Sequence, residues 1–330
     1  MTVEDAIQDQ AQDAQIERIL QGDARTLART LSQVENRPGA ATTELLRRLY
    51  PHCGKAFIIG VTGSPGAGKS TLVDGLAQLY RRQELKVAIL AVDPTSPFSG
   101  GAILGDRVRM QRLSRDSGVF IRSMATRGRM GGLSSAVEEA LVVLDAAGFD
   151  ILIVETVGVG QDEVDIAKAA HATLVVLVPG MGDDIQAVKA GIMEIADVFA
   201  VNKADREEAG KTEAELKALL SMSERPDGWT PPVVMTVATS RSGIEELAQA
   251  LQDYRRHLQQ RQETSPRTRH LYRERLLEML RDRLLHEVLD KIPASRLDEA
   301  VEDWMQAKAD PYTILDRLLA SPTVKEENDD

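Results

Sequence analysis

Eight residues, Gly63 to Ser70, read GSPGAGKS and restrict the possible folds more than any other stretch of the chain. They fit the pattern G-x-x-x-x-G-K-[ST] at every fixed position. An apolar run, Ala56 to Val61, leads into them, and a helix-compatible stretch, Thr71 to Tyr80, follows. Strand, loop and helix are the context this pattern needs, so the segment reads as a phosphate-binding loop. Its glycines let successive N–H groups turn inward around the α- and β-phosphates, and the positive end of the next helix adds attraction. The Lys69 side chain can reach the β- and γ-phosphate oxygens, while the Ser70 hydroxyl is a Mg2+ ligand of the expected kind. The candidate contacts are Gly63, Ser64, Pro65, Gly66, Ala67, Gly68, Lys69, Ser70 and Thr71.

A second nucleotide signal, Asn202, Lys203 and Asp205 in NKAD, follows the apolar stretch Ile195 to Val201. Guanine offers N1–H and N2–H2 donors on one edge, and the Asp205 carboxylate can accept both. Adenine presents an acceptor at N1 and lacks the 2-amino group, so the same carboxylate repels it. NKxD alone is common; about 130 residues beyond a phosphate-binding loop it points to GTP over ATP. The loop after VVMT, with Ala238 and Thr239, suits the O6 edge of guanine through its N–H donors.

From Ala56 onward, short apolar segments alternate with helix-length ones. The predicted strands are Ala56 to Val61, Val87 to Val92, Val119 to Arg122, Ile151 to Glu155, Thr173 to Val178, Val198 to Val201 and Val233 to Thr236. Runs such as ILIVE and TLVVLV lack polar alternation, as parallel strands covered on both faces do. The fold class is therefore α/β, a mainly parallel sheet covered by helices, with active loops at the carboxyl ends of its strands.

Residues 1–53 form a helical preface, 54–250 the nucleotide domain and 251–330 a helical arm with a frayed tail. In the preface, Ile16, Ile19 and Leu20, then Leu27, Leu31 and Val34, then Leu45, Leu46 and Leu49 recur at helical spacing, and this segment is expected to pack on the nucleotide domain. In the arm, Leu277, Leu280, Leu284 and Val288 repeat at helical spacing, and Pro293 and Pro311 interrupt the pattern.

A formal net charge of -11 argues against nonspecific binding to nucleic acid or an anionic membrane. The single cysteine, Cys53, allows no internal disulfide, and no apolar stretch reaches transmembrane length. The acidic, polar N-terminus is neither a secretory signal nor an Arg-rich transit peptide, so a cytoplasmic protein is expected.

Three further strand ends carry chemistry. Asp93 closes VAILAVD, where a carboxylate can face Mg2+ through water, and Asp106 in the following loop is a second candidate on the metal side. Glu155 closes ILIVE ahead of a glycine-bearing segment; an acid at the tip of an apolar strand is costly without a cationic partner. Gln186 and Lys189 lie past another strand tip, and Arg107, Arg109, Arg127 and Arg129 flank glycine-rich turns without one standing out as an arginine finger.

Taken in order, GSPGAGKS, LAVDPTSPFSGGAILGDRVRM, ILIVETVGVGQ, VPGMGDDIQAVKAGIMEIADVFAVNKAD and the ATS loop resemble the G-protein chaperones of adenosylcobalamin-dependent methylmalonyl-CoA mutase. This is the MeaB, ArgK and human MMAA family, within the SIMIBI class of phosphate-loop GTPases, and the resemblance covers about residues 20–320. It implies a homodimer held by the C-terminal arm, and Mg2+-dependent hydrolysis of GTP to GDP coupled to loading, protection or exchange of cobalamin on a mutase. Adenosylcobalamin would then sit on the partner enzyme, a cobalamin-dependent acyl-CoA mutase. The resemblance makes Asp93, Asp106 and Glu155 metal-side residues and Gln186 and Lys189 candidates for a third switch; with Lys69, the last four would serve hydrolysis. Two other classes share the phosphate loop. A nickel-enzyme metallochaperone should carry a His- or Cys-rich element, whereas this chain has one Cys and five scattered His. A signal-recognition-type GTPase should carry RNA- or membrane-directed surfaces, which the acidic balance disfavours.

Overall fold

The computed structural model describes residues 3–36, 39–94, 113–126, 134–156, 168–180, 193–222, 225–260 and 266–320. It falls into two compact units, 1–268 and 269–330.

The first unit is built on a seven-stranded sheet of order β3-β2-β4-β1-β5-β6-β7. The strands are β1 (Phe57–Gly63), β2 (Val87–Pro94), β3 (Val119–Thr126), β4 (Ile151–Thr156), β5 (Ala172–Leu177), β6 (Val198–Asn202) and β7 (Val233–Thr236). Every neighbouring pair is parallel. β1, the strand before the phosphate loop, is central, with β4 and β5 on either side. All seven predicted strands are present. Several run further at the carboxyl end than hydropathy indicates: β2 continues through Asp93 and Pro94, and β3 through Thr126.

The largely apolar strands need cover on both faces, and two main cores provide most of it. On one face α4 (Lys69–Arg82) and α7 (Ile244–Gln260) bury Leu72, Leu76, Leu247 and Leu251 against Ile59, Val61 and Ile153. On the other, α5 (Ser134–Ala146) and the preface helices α1 (Val3–Leu20), α2 (Ala24–Asn36) and α3 (Ala40–Leu49) pack on Leu90, Leu152 and Val154. Ile19, Leu27, Leu31, Leu45 and Leu49 are fully buried there, so the preface completes the nucleotide domain's core. Arg122 on the edge strand β3 fastens α2: it donates to the Ala28 carbonyl at 3.1 Å and to Glu35 at 2.8 Å. A third small cluster lies under α6 (Ala209–Ser221), around Phe199 and Leu216.

The second unit contains most of α8 (Pro266–Leu289), with α9 (Ala294–Met305) and α10 (Pro311–Leu319). The two prolines that interrupt the sequence pattern stand at helix starts. Pro293 is the N-cap of α9, and Pro311 is the first residue of α10, whose N-cap Asp310 accepts the Tyr312 and Thr313 N–H groups. Among the described residues no helix is long and apolar enough to cross a membrane.

Candidate nucleotide site

The phosphate loop runs from the tip of β1 into α4. Gly63 has φ 136°, and a Cβ there would overlap the Val176 carbonyl of β5. Gly68, at φ 92°, is the N-cap of α4, where a Cβ would overlap the Asn202 amide. Both glycines are therefore required by backbone conformation and by close approach together. Above Gly66 the space is open, with nothing within 4 Å of an added Cβ.

Lys69 is only 5% exposed, and its ammonium donates to the carbonyls of Gly63 at 2.5 Å and Ser64 at 3.1 Å. These contacts keep a buried cation solvated by the loop itself, and phosphate oxygens can take them over. One residue on, the Ser70 hydroxyl donates to Glu155 Oε1 at 2.6 Å. Glu155 is the last residue but one of β4 and is 4% exposed. A hydroxyl and a carboxylate meeting at a helix N-terminus form a hard-oxygen donor set, which fits Mg2+. The residues present therefore suit a magnesium nucleotide.

The NKAD segment leaves the end of β6 two strands away. Asn202 is buried and faces protein on both sides of its amide. Its Nδ2 donates to the Ala67 carbonyl at 2.7 Å, and its Oδ1 accepts the Ala238 N–H at 3.1 Å and the Thr236 hydroxyl at 3.3 Å. It thus ties the phosphate loop to the loop after β7. Lys203 takes a left-handed backbone, φ 58°, unusual for a side-chain-bearing residue, and its ammonium donates to the Gly66 carbonyl at 2.8 Å. The Ala204 N–H donates to the Thr236 carbonyl at 3.0 Å. Asp205 is left exposed, Ala238 is buried and Thr239 exposed. The loop motif does not reveal the bracing by the Thr236 hydroxyl, whose one signal in the sequence is a threonine ending an apolar strand.

Asp93 lies at the carboxyl end of β2, beside β4 in the sheet; its side chain is outside the described residues. Asp106, Gln186 and Lys189 fall outside them altogether, as do Arg107, Arg109, Arg127 and Arg129.

A phosphate loop on the central strand of a parallel sheet, braced to a guanine-type NKxD segment, defines a P-loop GTPase. Residues 27–292 match the family model described as methylmalonyl Co-A mutase-associated GTPase MeaB, and the chain belongs to that family. It is 48% identical over 314 residues to a candidate GTPase of Pyrococcus abyssi, covering 93% of this chain and 95% of that protein. With the Escherichia coli GTPase ArgK it shares 38% identity over 287 residues, 85% of this chain and 86% of that one. Among solved structures, the LAO/AO transport system kinase superposes with a TM-score of 0.68 at 30% identity, covering 93% of this chain and 96% of that one.

Proposed function

We propose that this GTPase serves as a nucleotide-dependent chaperone of a cobalamin-dependent acyl-CoA mutase, acting in the loading, protection or exchange of adenosylcobalamin on that enzyme. The single observation that carries the reading is the match of residues 27–292 to a family described by its association with methylmalonyl-CoA mutase. The geometry supports it: β2, β4 and β5 run parallel to β1, so their carboxyl ends lie on the same side of the sheet as the phosphate loop.

In hydrolysis, water attacks the γ-phosphoryl group and GDP leaves. Lys69 exchanges its loop carbonyls for phosphate oxygens and stabilises negative charge on them. Ser70 and Glu155, with Asp93 and Asp106, hold the magnesium side, directly or through water. Bound Mg2+ neutralises charge that develops on the transferred group. Asn202 and Lys203 keep the phosphate and base loops in register, Asp205 reads the guanine edge, and Ala238 and Thr239 lie along it. Gln186 and Lys189 serve as a third switch that responds to client and nucleotide. The chain works in the cytoplasm.

The protein also acts as a homodimer through its C-terminal helices. Leu276, Leu277, Met279, Leu280, Leu284 and Leu289 of α8 are 43–66% exposed, and apolar residues on more than one side of a helix call for a partner. Sedimentation of the full chain at micromolar concentration should give a dimer; a monomer refutes the assembly.

The decisive experiment titrates the protein with its cognate mutase. GTP turnover should rise, and the GTP and GDP states should bind the mutase with different affinity, because coupling between sites is reciprocal. Equal affinity and unchanged turnover with folded, cobalamin-saturated mutase overturn the chaperone reading and leave the GTPase standing.

A further inference from the structure

The strands that frame the phosphate loop carry a pair of buried hydroxyls with no role so far. Thr62 stands immediately before Gly63, the first residue of the loop, and Thr156 immediately after Glu155. β1 and β4 are neighbours with Val61 opposite Glu155, so Thr62 and Thr156 are the next pair along. Parallel strands alternate faces residue by residue. Val61 and Ile153 lie in the core under α4, where Glu155 meets Ser70, while Leu152 and Val154 lie in the core under α5 and the preface helices. Thr62 and Thr156 therefore share the reverse face of the sheet, with the Thr156 hydroxyl donating to Thr62 Oγ1 at 3.4 Å.

Both residues are sealed from water, at 0% and 2% exposure. Elsewhere, up to Val61 in β1 and up to Val154 in β4, these strands carry only apolar residues and glycine, and valine would fill either threonine position with the same shape. A buried hydroxyl is unfavourable unless it is hydrogen-bonded, so two of them facing each other at this position call for a reason. Glu155 is thus flanked by two ties: its own carboxylate to Ser70 on one face, and its chain neighbour to Thr62 on the other. At 3.4 Å the hydroxyl pair is a long O–H···O contact, against about 2.7–2.8 Å for a relaxed one.

We propose that Thr156, latched to Thr62, is a positioning residue that sets the β4 tip so that the Glu155 carboxylate faces the magnesium side of the site. The proposal rests on the reading of Glu155 as a metal-side residue and makes no use of the client. Partners that orient a ligating carboxylate typically change metal affinity by 10–100-fold when removed.

The test follows release of fluorescent mant-GDP from the full-length protein as Mg2+ is varied, with no mutase present. In Thr156→Val the Mg2+ concentration that half-slows release should rise on the order of tenfold. Release in EDTA should stay as in the parent, and the unfolding midpoint should be unchanged or higher. Thr156→Ser should restore the parental Mg2+ dependence. Thr62→Val should reproduce the shift, and the double variant should be no worse than either single one, because both remove one interaction. A parental Mg2+ midpoint in Thr156→Val and Thr62→Val, or shifts that add in the double variant, overturn the latch. Glu155→Gln separates the two failures: if it shifts the midpoint and the threonine variants do not, only the latch is wrong, and if it too is silent, the metal-side reading of Glu155 falls with it.

Discussion

Strand β6 is flanked by an aspartate beyond each end, and their surroundings are opposite. Asp197, just before the amino end, is buried and closed in by the protein. It accepts the Thr173 N–H at 2.9 Å and Arg225 at 2.9 Å, and its carbonyl accepts the Trp229 indole N–H at 2.8 Å. Arg225 is shared with Asp227 at 2.8 Å, and Tyr254 hydrogen-bonds Asp197 as well. Asp205, three residues past the carboxyl end, is exposed. Charge at the amino end is matched by fixed side chains that no ligand could replace. At the carboxyl end, Lys69 rests on loop carbonyls and Glu155 is held by a hydroxyl, partners that a magnesium nucleotide can displace. Burial of charge alone therefore does not mark a site; displaceable partners do.

The strongest way to break that contrast is Arg225→Met. It strands Asp197 and Asp227 in a dry environment, and loss of one partner of a buried ion pair costs about 3–5 kcal/mol. Urea unfolding should show that loss, while the folded fraction keeps its affinity for GTP. An unchanged unfolding midpoint would mean that the amino-end cluster is not structural.

Lys69→Ala is the matching change at the other end. It removes charge stabilisation of about 3 kcal/mol from the hydrolytic barrier, roughly 100-fold in rate. Stability should move by less than about 1 kcal/mol, since the lysine fills no part of the aliphatic core. Turnover at saturating Mg-GTP checks the first expectation and thermal unfolding the second; parental turnover refutes the role.

These two sites also differ in how far the sequence reveals them. The phosphate loop and NKAD are contiguous motifs whose residue types are dictated by ligand chemistry, so they can be read without a structure, as can the seven apolar strands. Asp93 was legible as the end of its strand, whereas Pro94 of β2 and Ser123 to Thr126 of β3 were hidden because pairing continues into positions, such as Ser123 and Thr126, where hydropathy stops. The amino-end cluster was hidden for another reason. Asp197, Arg225, Asp227, Trp229 and Tyr254 come from three places in the chain: the adjacency of β6 and β7 brings Asp197 beside the segment of Arg225, Asp227 and Trp229, and α7 adds Tyr254. Bracing by Asn202 was likewise invisible: the motif marks the residue, but its partners at Ala67 and Ala238 are set by the sheet order.

Asp197 sharpens the contrast through pH. Burial pushes its carboxyl up from 3.8 to about 6, against the pull of Arg225. Between those values the folded chain binds a proton that the unfolded chain has released, so this contribution to stability is present below 3.8 and lost as pH rises through about 6. The full change is at most about 3 kcal/mol. Other carboxyls titrate in the same range, so the measurement is the difference between parent and Asp197→Asn. Stability of the parent relative to this variant should fall from pH 4 to pH 6.5, and parallel curves would contradict the assignment.

Asp205, at the ligand end of the same strand, should behave in the reverse way: its replacement leaves the fold alone and changes the choice of base. Asp205→Asn exchanges one carboxylate acceptor for an amide donor. Guanine then loses a charge-assisted hydrogen bond worth about 2 kcal/mol, roughly 30-fold in affinity. Xanthine, with an oxygen in place of the 2-amino group, gains a donor to face that oxygen, so xanthosine triphosphate should bind more tightly than in the parent. Because the Asp205 side chain is exposed and Asn202 and Lys203 already brace the loop, unfolding should be shifted by less than about 0.5 kcal/mol. Competition of both nucleotides against mant-GDP reads the exchange directly. Equal weakening of GTP and xanthosine triphosphate would show that Asp205 acts on the loop and not on the base, and would remove the distinction drawn between the two ends of β6.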